Sequence, residues 1–508
     1  MQELLWSQHS QAPLLAILQL LPLAGLFFAW LFRKHNAVIV ISTVFALTEL
    51  MVAIWLYHLF DVNNNRFQFA EHAVLIGSLN YHVAVDGMAV LFVLLTALLS
   101  FLVVIYGPVR GLKPHGRFMM ATFALEAALM SSFVTLDLLW FVLASLLHTL
   151  LLAFLLWRWS TSPEKEQTVK RYLQFMGTGI LLLAVGAFML ASNYADSHDG
   201  MLSFDLLKLI NTPVHGAIAS WIFFSLFYGL AIRIPLFPLH GWLPMAAEHG
   251  SVAVAPVFLL GVKTGIYGLL RFVFPLMPEA VIQWHEYVVA FAVVGIFYAA
   301  LLAMLQSNMR RLLAYAVVSH TSILVLGFFS LSHLAFQGGL FLTANFGFAT
   351  AALLFITGLI YSRTHTALMS QMGSLFDRIP LLGITFLIAG LAIVGMPFTP
   401  GFDAAHLVLE ASIRKFGALV TIAAAIGNVL AAGFLLWAFQ RAFLSPATGR
   451  IINTDEVENT RISEAIIAMI LILVIVSAGF MSEPWFELLE NSARNLSQPY
   501  ASVAVKQH

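Results

Sequence analysis

The sequence predicts an all-α integral membrane protein, on the basis of three observations. The chain of 508 residues is 60% hydrophobic, with a mean hydropathy of +0.90. Charged residues make up 10% of it, whereas a soluble domain carries about 25%. Apolar segments of roughly 20 residues recur along the chain, and this is the length that crosses a hydrocarbon core about 30 Å thick. We therefore expect a polytopic bundle surrounded by membrane lipid.

Charge and cysteine content exclude several classes of function. Basic and acidic residues balance at 25 each, so net charge gives no reason to expect a nucleic-acid partner. The chain has no cysteine, which excludes disulfides, thiolate metal sites and cysteine-held iron–sulfur clusters. We expect no cofactor in this chain, and any redox centre would lie in another subunit.

By length and hydropathy, about fourteen spans follow one another along a single membrane domain, 1–508. They are expected near 13–32, 37–60, 88–107, 117–136, 138–157, 171–193, 216–238, 252–274, 283–306, 311–331, 336–361, 380–413, 416–440 and 463–481. The twelfth is too long for one crossing and is interrupted by GMPFTPG (Gly395–Gly401). We expect a broken helix there, because freed backbone groups at membrane depth must be covered by protein or a wet cavity.

The two halves of the chain share a pattern. Helices four to eight (about 117–274) and nine to thirteen (about 283–440) each contain an interior basic or histidine-bearing helix and a Pro/Gly break. This favours a pair of antiporter-like inverted repeats, followed by a terminal helix and tail over 463–508. Loops after odd-numbered spans hold more than twice as many Lys and Arg as the opposite loops. The positive-inside rule then places both termini on the outer side of the membrane.

Two connecting segments have patterns of their own. Alternation in NYHVAVDG (80–87) predicts a short extended piece outside the membrane. The stretch SFDLLKLIN (203–211) predicts one or two turns of amphipathic helix at the interface.

Ionisable residues inside apolar spans indicate an ion path, because a charge in lipid costs about 3 kcal/mol or more unless it has a partner or water. Lys263 can accept and release a proton in such surroundings. Arg233 keeps its charge, so we expect a fixed cation paired with an acidic group, Glu126 first. His320 is suited either to proton relay or to packing. Further groups follow the break, and we expect them to continue the proton path with Lys263 and His320: Asp403, His406 and Glu410.

A second group of ionisable residues flanks the turn after the seventh span. His240, Glu248 and His249 could form a cytoplasmic proton entry, or they could belong to a solvated loop. The two histidines are nine positions apart and do not have the HExxH spacing of a zinc site. The sequence therefore predicts no metal site, and it shows no catalytic site in the chain itself.

Six sequence blocks follow one another in a fixed order over nearly the whole chain. They are YHVAVDGMAVLFVLLTALL (Tyr81–Leu99), IPLFPLHGWLP (Ile234–Pro244), GVKTGIYGLLRF (Gly261–Phe272), MRRLLAYAVVSH (Met309–His320), SRTHT with MGSL (Ser362–Leu375) and GMPFTPGF (Gly395–Phe402). This order resembles the antiporter-like proton-translocating membrane subunits of the NADH–quinone oxidoreductase superfamily, in particular the M-type subunit of respiratory complex I. The resemblance implies half-channels built on broken helices, a central row of proton-exchanging residues and a multisubunit assembly, such as one in a bacterial inner membrane.

The chain departs from the family pattern at positions that matter for proton exchange. The family's fifth-helix glutamate falls at Leu146, its seventh-helix lysine at Arg233, and its eleventh-helix histidine at Phe346. The eighth-helix lysine is kept as Lys263, and the acidic residue after the broken twelfth helix falls at Ala405. The Glu–Lys couple of the first half is thus replaced by residues that do not exchange protons.

Three functions remain open after these departures. The first is a proton-translocating subunit that drives inorganic-carbon (CO2 or bicarbonate) uptake together with a large soluble zinc protein, since SLLHTLLL (Ser145–Leu152) resembles the membrane subunit of DAB-type systems. The second is an M-like subunit beside quinone-reductase or hydrogenase subunits. The third is a non-conducting scaffold. In the first two the chain moves protons for a reaction that another subunit, of a translocase or of a carbonic-anhydrase-like complex, carries out.

Overall fold

The computed structural model of the chain describes residues 3–8, 10–76, 79–250, 263–446 and 457–501. The helices are α1 (Leu14–Leu31), α2 (Ala37–Leu59), α3 (Gly87–Val109), α4 (His115–Val134), α5 (Leu138–Trp159), α6 (Lys165–Asp196), α7 (Leu206–Ile210), α8 (Ala217–Arg233), α9 (Leu243–His249), α10 (263–276, with a π-helical turn at Leu269–Val273), α11 (Pro278–Met304), α12 (Met309–Phe328), α13 (His333–Thr364), α14 (Pro380–Val394), α15 (Pro400–Phe439, continued by a π-helical turn at Gln440–Leu444), α16 (Ile462–Phe480) and α17 (Glu483–Ser497). Short 3-10 turns lie at Trp6–Gln8, Met369–Gln371, Leu375–Asp377 and Gln498–Tyr500.

This architecture confirms the predicted fold class, and the chain is an integral membrane protein. Eleven helices of the described residues are long and apolar enough to cross a membrane, and Ala217–Arg233 and Pro380–Val394 are shorter apolar helices. Each predicted span overlaps a helix, but the twelfth covers α14 and the start of α15, and the thirteenth is the remainder of α15. Residues 252–262 of the eighth span and the tail beyond 501 lie outside the described residues. The predicted inverted repeat stays a prediction.

Side-chain caps explain where several helices begin. An Asp, Asn or Ser just before the first turn accepts a hydrogen bond from a backbone N–H that has no partner within the helix. The capping residues are Asp86 for α3, Asp137 for α5, Asp205 for α7, Asn308 for α12 and Ser332 for α13.

The predicted broken helix is present between α14 and α15. Gly395 ends α14 in the left-handed region, at φ +76°. Asn345 on α13 donates from Nδ2 to the carbonyl of Ala392, at 2.8 Å, which satisfies a group that the break has freed. A Cβ on Gly401 would lie 2.4 Å from the same carbonyl oxygen, so this position admits glycine only. Farther along α15, Gly417 at φ +77° separates the two predicted spans.

One face of the molecule carries a three-stranded sheet of β1 (Glu3–Leu5), β2 (Phe67–Ile76) and β3 (Leu79–Val85), in that order. We call this the sheet face. β1 runs parallel to β2, and β2 and β3 form an antiparallel hairpin with His72 opposite His82. The extended piece predicted for 80–87 is therefore present as β3, and the helix predicted within 203–211 is present as α7.

Both ends of the described chain lie on the sheet face. β1 is part of the sheet, and near the other end Asn491 of α17 donates to the carbonyl of Val62, at 2.7 Å. The hydroxyl of Tyr500 donates to the carbonyl of Phe274, also at 2.7 Å. The side of the membrane on which the termini lie stays a prediction.

Burial is uneven among the helices. The apolar cores of α12 and α13 are almost wholly buried, whereas α2, α15 and α16 expose large apolar side chains. Residues of α12 and α13 are therefore the ones best shielded from lipid, and the ionisable side chains that face them lie in the centre of the molecule.

Candidate functional site

The central pair of ionisable residues is Lys263 on α10 and His320 on α12. Their exposed fractions are 5% and 3%, and the charge of Lys263 acts on the His320 ring. Gly347 on α13 provides the space for the lysine, because a Cβ there would lie 2.9 Å from Lys263 Cε. The structure thus brings together the two residues that the sequence singled out for proton exchange.

Backbone geometry orients the His320 ring. Nδ1 lies 2.7 Å from the carbonyl oxygen of Ala316, one turn earlier on α12, and since that oxygen can only accept, Nδ1 carries the proton. Nε2 has no hydrogen-bond partner among the described residues. The ring packs edge-on against Phe346, with centroids 4.7 Å apart. His320 can therefore receive a proton at Nε2 while its other nitrogen holds the ring in place.

Arg233 lies at the end of α8, where a cation is favourable because helix carbonyls leave a partial negative charge. It is 4% exposed and contacts the imidazole of His148. It also donates to the hydroxyl oxygens of Thr264 and Thr149, each at 3.3 Å. Polar groups of α5 and α10 thus surround the guanidinium, which is held as a fixed charge.

The predicted pairing of Arg233 with Glu126 is wrong. No carboxylate of the described residues forms an ion pair with the guanidinium, whose partners are neutral side chains and a backbone carbonyl. Glu126 is buried on the face of α4 that looks toward α3 and α2, where it faces Ser100 and Glu49. Position along the sequence could not show which face of α4 the carboxylate takes.

His148 is the interior residue of α5 whose role the sequence did not identify. Leu146, at the place of the family glutamate, is 41% exposed, whereas Ser145, His148 and Thr149 are buried and line the space around Arg233. The helical spacing of the polar residues at 145, 148 and 149 was the available signal, since i, i+3 and i+4 share one face.

The group after the broken helix does not lie in the interior as expected. Asp403 is half-buried and accepts a hydrogen bond from the hydroxyl of Ser482, at 2.7 Å. His406 is exposed, and Glu410 forms an ion pair with Arg414 one turn later. The inward face of α15 carries instead small and apolar residues, Ala404, Val408 and Ala411. The three polar residues are thus on the outer face of α15, and the structure does not bring them to Lys263 and His320.

The residues proposed as a proton entry cluster around α9. His240 is 6% exposed, and its ring packs against Phe237 and Tyr298. Glu248 forms an ion pair with Arg311, with Nη1 and Oε2 3.1 Å apart.

The neighbouring histidine completes this cluster. His249 lies 3.4 Å from Glu164 and 3.6 Å from Glu248. Arg310 donates to the carbonyl of Glu248, at 2.6 Å, and so fixes α9 to the start of α12, the helix that carries His320. The entry role stays a prediction, and these contacts are equally those of an ordered loop.

A further ionisable cluster on the sheet face escaped the sequence analysis. Glu3, His72 and His82 converge there, and Asp205, which caps α7, bonds to the other side of the His82 ring. Burial lowers the pKa of His82, but the hydrogen bonds and charges of Asp205 and then Glu3 outweigh it, so this pKa lies above its ordinary value. The sequence feature that could have indicated this cluster is the pair of histidines, His72 and His82, at opposite positions on the two strands of the hairpin.

Comparison with known proteins places the chain among membrane subunits of respiratory and antiporter complexes. The family described as "NADH:quinone oxidoreductase/Mrp antiporter, TM" matches residues 135–432. NADH-quinone oxidoreductase subunit M of Rickettsia prowazekii (strain Madrid E) is 30% identical over 96% of this chain and 99% of its own length.

Solved structures give the same result at the level of the fold. A chain of respiratory complex I from Thermus thermophilus with bound NADH superimposes with a TM-score of 0.82, at 25% identity, over 95% of this chain and 99% of that one. A chain of the Mrp complex from Dietzia sp. DQ12-45-1b superimposes with a TM-score of 0.81, over 97% and 99%. At 19% identity, this second likeness concerns the fold alone.

Proposed function

The chain belongs to the family of NADH:quinone oxidoreductase and Mrp antiporter transmembrane subunits, and from this premise we propose that it translocates protons as one subunit of a multisubunit membrane complex. The observation that carries the proposal is the burial of Lys263 beside His320, on helices that lipid does not reach. A buried lysine and a histidine with an open nitrogen can each exchange a proton.

The first half of the chain has a different part in this proposal. Arg233 cannot release its proton in a working cycle, and its partner is the imidazole of His148 rather than a carboxylate. We infer that this cation sets a fixed positive potential that keeps protons on the route through Lys263. Proton exchange then involves Lys263 and His320 but not Arg233.

The polar residues after the break between α14 and α15 do not continue the path within this chain, because the structure does not bring them to Lys263 and His320. Asp403 lies in the first turn after the break. His406 and Glu410 continue from it along the outer face of α15. A neighbouring subunit that covers this face would enclose all three, so we propose that the outer part of the path is completed only in the assembled complex.

The partner complex has two candidates. The M-type relatives, together with the family match, favour a respiratory quinone reductase. The replacement of the titrating couple by Leu146 and Arg233 favours a subunit whose protons serve a different reaction. The reaction that we propose in that case is uptake of inorganic carbon together with a soluble zinc protein. Purification of the complex from its native membrane separates them, since quinone-reductase subunits co-purify in the first case and a large zinc-binding soluble protein in the second.

The test of proton translocation uses the intact complex in proteoliposomes with a pH-sensitive dye inside. Lys263→Ala and Lys263→Arg should each lower proton flux by about 100-fold, with unchanged subunit composition. The arginine variant is decisive, because it keeps the charge and loses only the exchangeable proton. The control is Lys170→Ala, which removes an exposed lysine of α6. Wild-type flux in Lys263→Arg would overturn the proposal and leave the scaffold function.

We also propose that the sheet face lies outside a bacterial inner membrane, as the positive-inside rule predicts. The natural absence of cysteine makes the test direct. Ser197→Cys places a thiol in an exposed position after α6, and Thr161→Cys places one at the other end of the same helix. An impermeant maleimide added to whole cells should label the first variant and not the second; the reverse result would invert the topology.

A further inference from the structure

Three side chains of the types that bind metals converge on the sheet face, away from Lys263 and His320. Glu3 comes from β1, His72 from β2 and His82 from β3. The two histidines are paired across the hairpin, with ring centroids 4.1 Å apart. Glu3 Oε1 lies 3.2 Å from His72 Nε2, and Glu3 Oε2 lies 2.8 Å from His82 Nε2.

These separations fit the coordination sphere of a small metal ion. Nitrogen and oxygen ligands of tetrahedral zinc lie about 2.0–2.1 Å from the ion and therefore about 3.4 Å from one another. One ligand atom from each of the three residues lies within 4.8 Å of the other two. Rotation of the three side chains that shifts their ligand atoms by a few tenths of an ångström to about 1 Å would therefore complete the site, without movement of the strands.

Asp205 fixes the orientation of His82. Its Oδ2 bonds to His82 Nδ1, while its Oδ1 accepts from the backbone N–H groups of Leu207 and Lys208, at 2.9 and 3.2 Å. The carboxylate is thus held by α7 and directs Nε2 of His82 toward Glu3. A carboxylate on the far nitrogen of a ligating histidine is the usual second partner in histidine–metal sites.

The site is anchored on one side and open on the other. His82 is 3% exposed, whereas the side chains of Glu3 and His72 are 28% and 44% exposed. The buried histidine supplies a rigid ligand, and the exposed side provides access for an ion and room for water in the remaining coordination positions. Two imidazoles and one carboxylate suit a borderline divalent metal such as zinc better than calcium or magnesium, which prefer oxygen ligands.

We propose that Glu3, His72 and His82 bind one divalent transition-metal ion of the zinc class, and that Asp205 is the positioning residue of this site. The ion would join β1 to the β2–β3 hairpin, and so tie the start of the chain to the segment that leads into α3. The other reading of the same geometry is a hydrogen-bonded cluster in which the Glu3 carboxylate bridges two imidazoles. The two readings differ in whether the protein retains metal. Neither depends on the proton path.

The experiment measures metal content and affinity on the full chain in detergent, carrying no histidine tag. After removal of metal with a chelator, zinc is titrated calorimetrically, and cobalt is added as a spectroscopic probe whose visible bands report nitrogen and oxygen ligands. We expect one zinc per chain in the wild type. His72→Ala and Glu3→Gln should each bind at least 10-fold more weakly, and Asp205→Asn about 10- to 100-fold more weakly, with an altered cobalt spectrum.

The matched control is His215→Ala. His215 and Glu279 form another His–Glu pair, with a separation of 3.0 Å and both side chains more than 60% exposed, and its loss should leave zinc affinity unchanged. At the same zinc concentration, the unfolding temperature of the wild type should rise more than that of His72→Ala, because an ion stabilises the folded state according to its affinity. This measurement also shows whether His72→Ala is folded. Equal zinc affinity in the wild type, His72→Ala and Glu3→Gln, or no binding by the wild type, would overturn the proposal and leave the hydrogen-bonded cluster.

Discussion

Two basic side chains face each other in the interior: the guanidinium of Arg233 on α8 contacts the imidazole of His148 on α5. Because an arginine can only donate hydrogen bonds, the contact requires a neutral ring that accepts with its free nitrogen. The fixed charge is therefore supported by dipoles rather than by an opposite charge, and its stability depends on those dipoles remaining in place.

Replacement of His148 tests this dependence. His148→Leu should lower the free energy of unfolding by about 1–3 kcal/mol, because it leaves a buried N–H of Arg233 without an acceptor. His148→Gln should cost less, since its amide oxygen can accept. Denaturation of the purified chain in detergent measures both. Leu146→Ala, on the exposed face of the same helix, is the control and should change the free energy by no more than about 0.5 kcal/mol. Equal losses in the Leu and Gln variants would show that packing, not hydrogen bonding, matters.

Gly347 should be sensitive to the addition of a single methyl group. In Gly347→Ala the new Cβ would lie 2.9 Å from Lys263 Cε and 3.2 Å from Leu95 Cδ2, so the flexible lysine must move. We expect proton flux to fall several-fold with little change in thermal stability, because the long side chain can shift at low cost. Gly433→Ala is the matched control, since a Cβ there meets nothing within 4 Å. Unaltered flux in Gly347→Ala would mean that the present position of Lys263 is not the one that conducts.

His320 has two possible roles, relay and packing, that a pair of variants separates. His320→Asn removes the group that exchanges protons and should slow flux by about 100-fold. Phe346→Leu removes the aromatic contact, whose centroid distance is 4.7 Å, and should leave most of the flux. The measurement is dye-reported proton uptake into proteoliposomes. If both variants slow flux equally, packing accounts for the role of His320.

The ion pair between Arg271 and Asp86 should matter for stability. Arg271 donates from Nη1 and Nη2 to the two carboxylate oxygens, at 2.9 and 2.6 Å, and is 4% exposed. Arg271→Leu leaves the carboxylate without its partner and should lower the free energy of unfolding by about 3–5 kcal/mol. Arg494→Leu breaks an exposed pair with Glu490 and should cost less than about 1 kcal/mol. Similar losses in the two variants, measured by denaturation in detergent, would contradict this distinction between buried and exposed pairs.

The fold could be predicted from sequence because span length and hydropathy are set by the bilayer itself. The break at Gly395 was also readable, since glycine marks backbone that helices do not adopt. The burial of Lys263 and His320 followed from their isolation within apolar spans.

The contacts of the remaining side chains could not be predicted in this way. Which face of a helix meets its neighbour depends on rotation about the helix axis, and hydropathy does not fix that rotation when a span is apolar all round. Glu126 and His406 were misplaced for this reason. The cluster of Glu3, His72 and His82 was missed because residues about seventy positions apart meet through a parallel strand pairing, which no local spacing indicates.

The order of synthesis determines when the contacts of the sheet face can form. β1 precedes the first membrane helix, and its partner β2 follows the second, so the sheet closes only after α1 and α2 have crossed the bilayer as a hairpin. The last helix completes the same face much later, when Ser492 of α17 accepts a hydrogen bond from the N–H of Met88. A ribosome must therefore release nearly the whole chain before the beginning of α3 acquires its final neighbours, and until then a chaperone or a partner subunit has access to it.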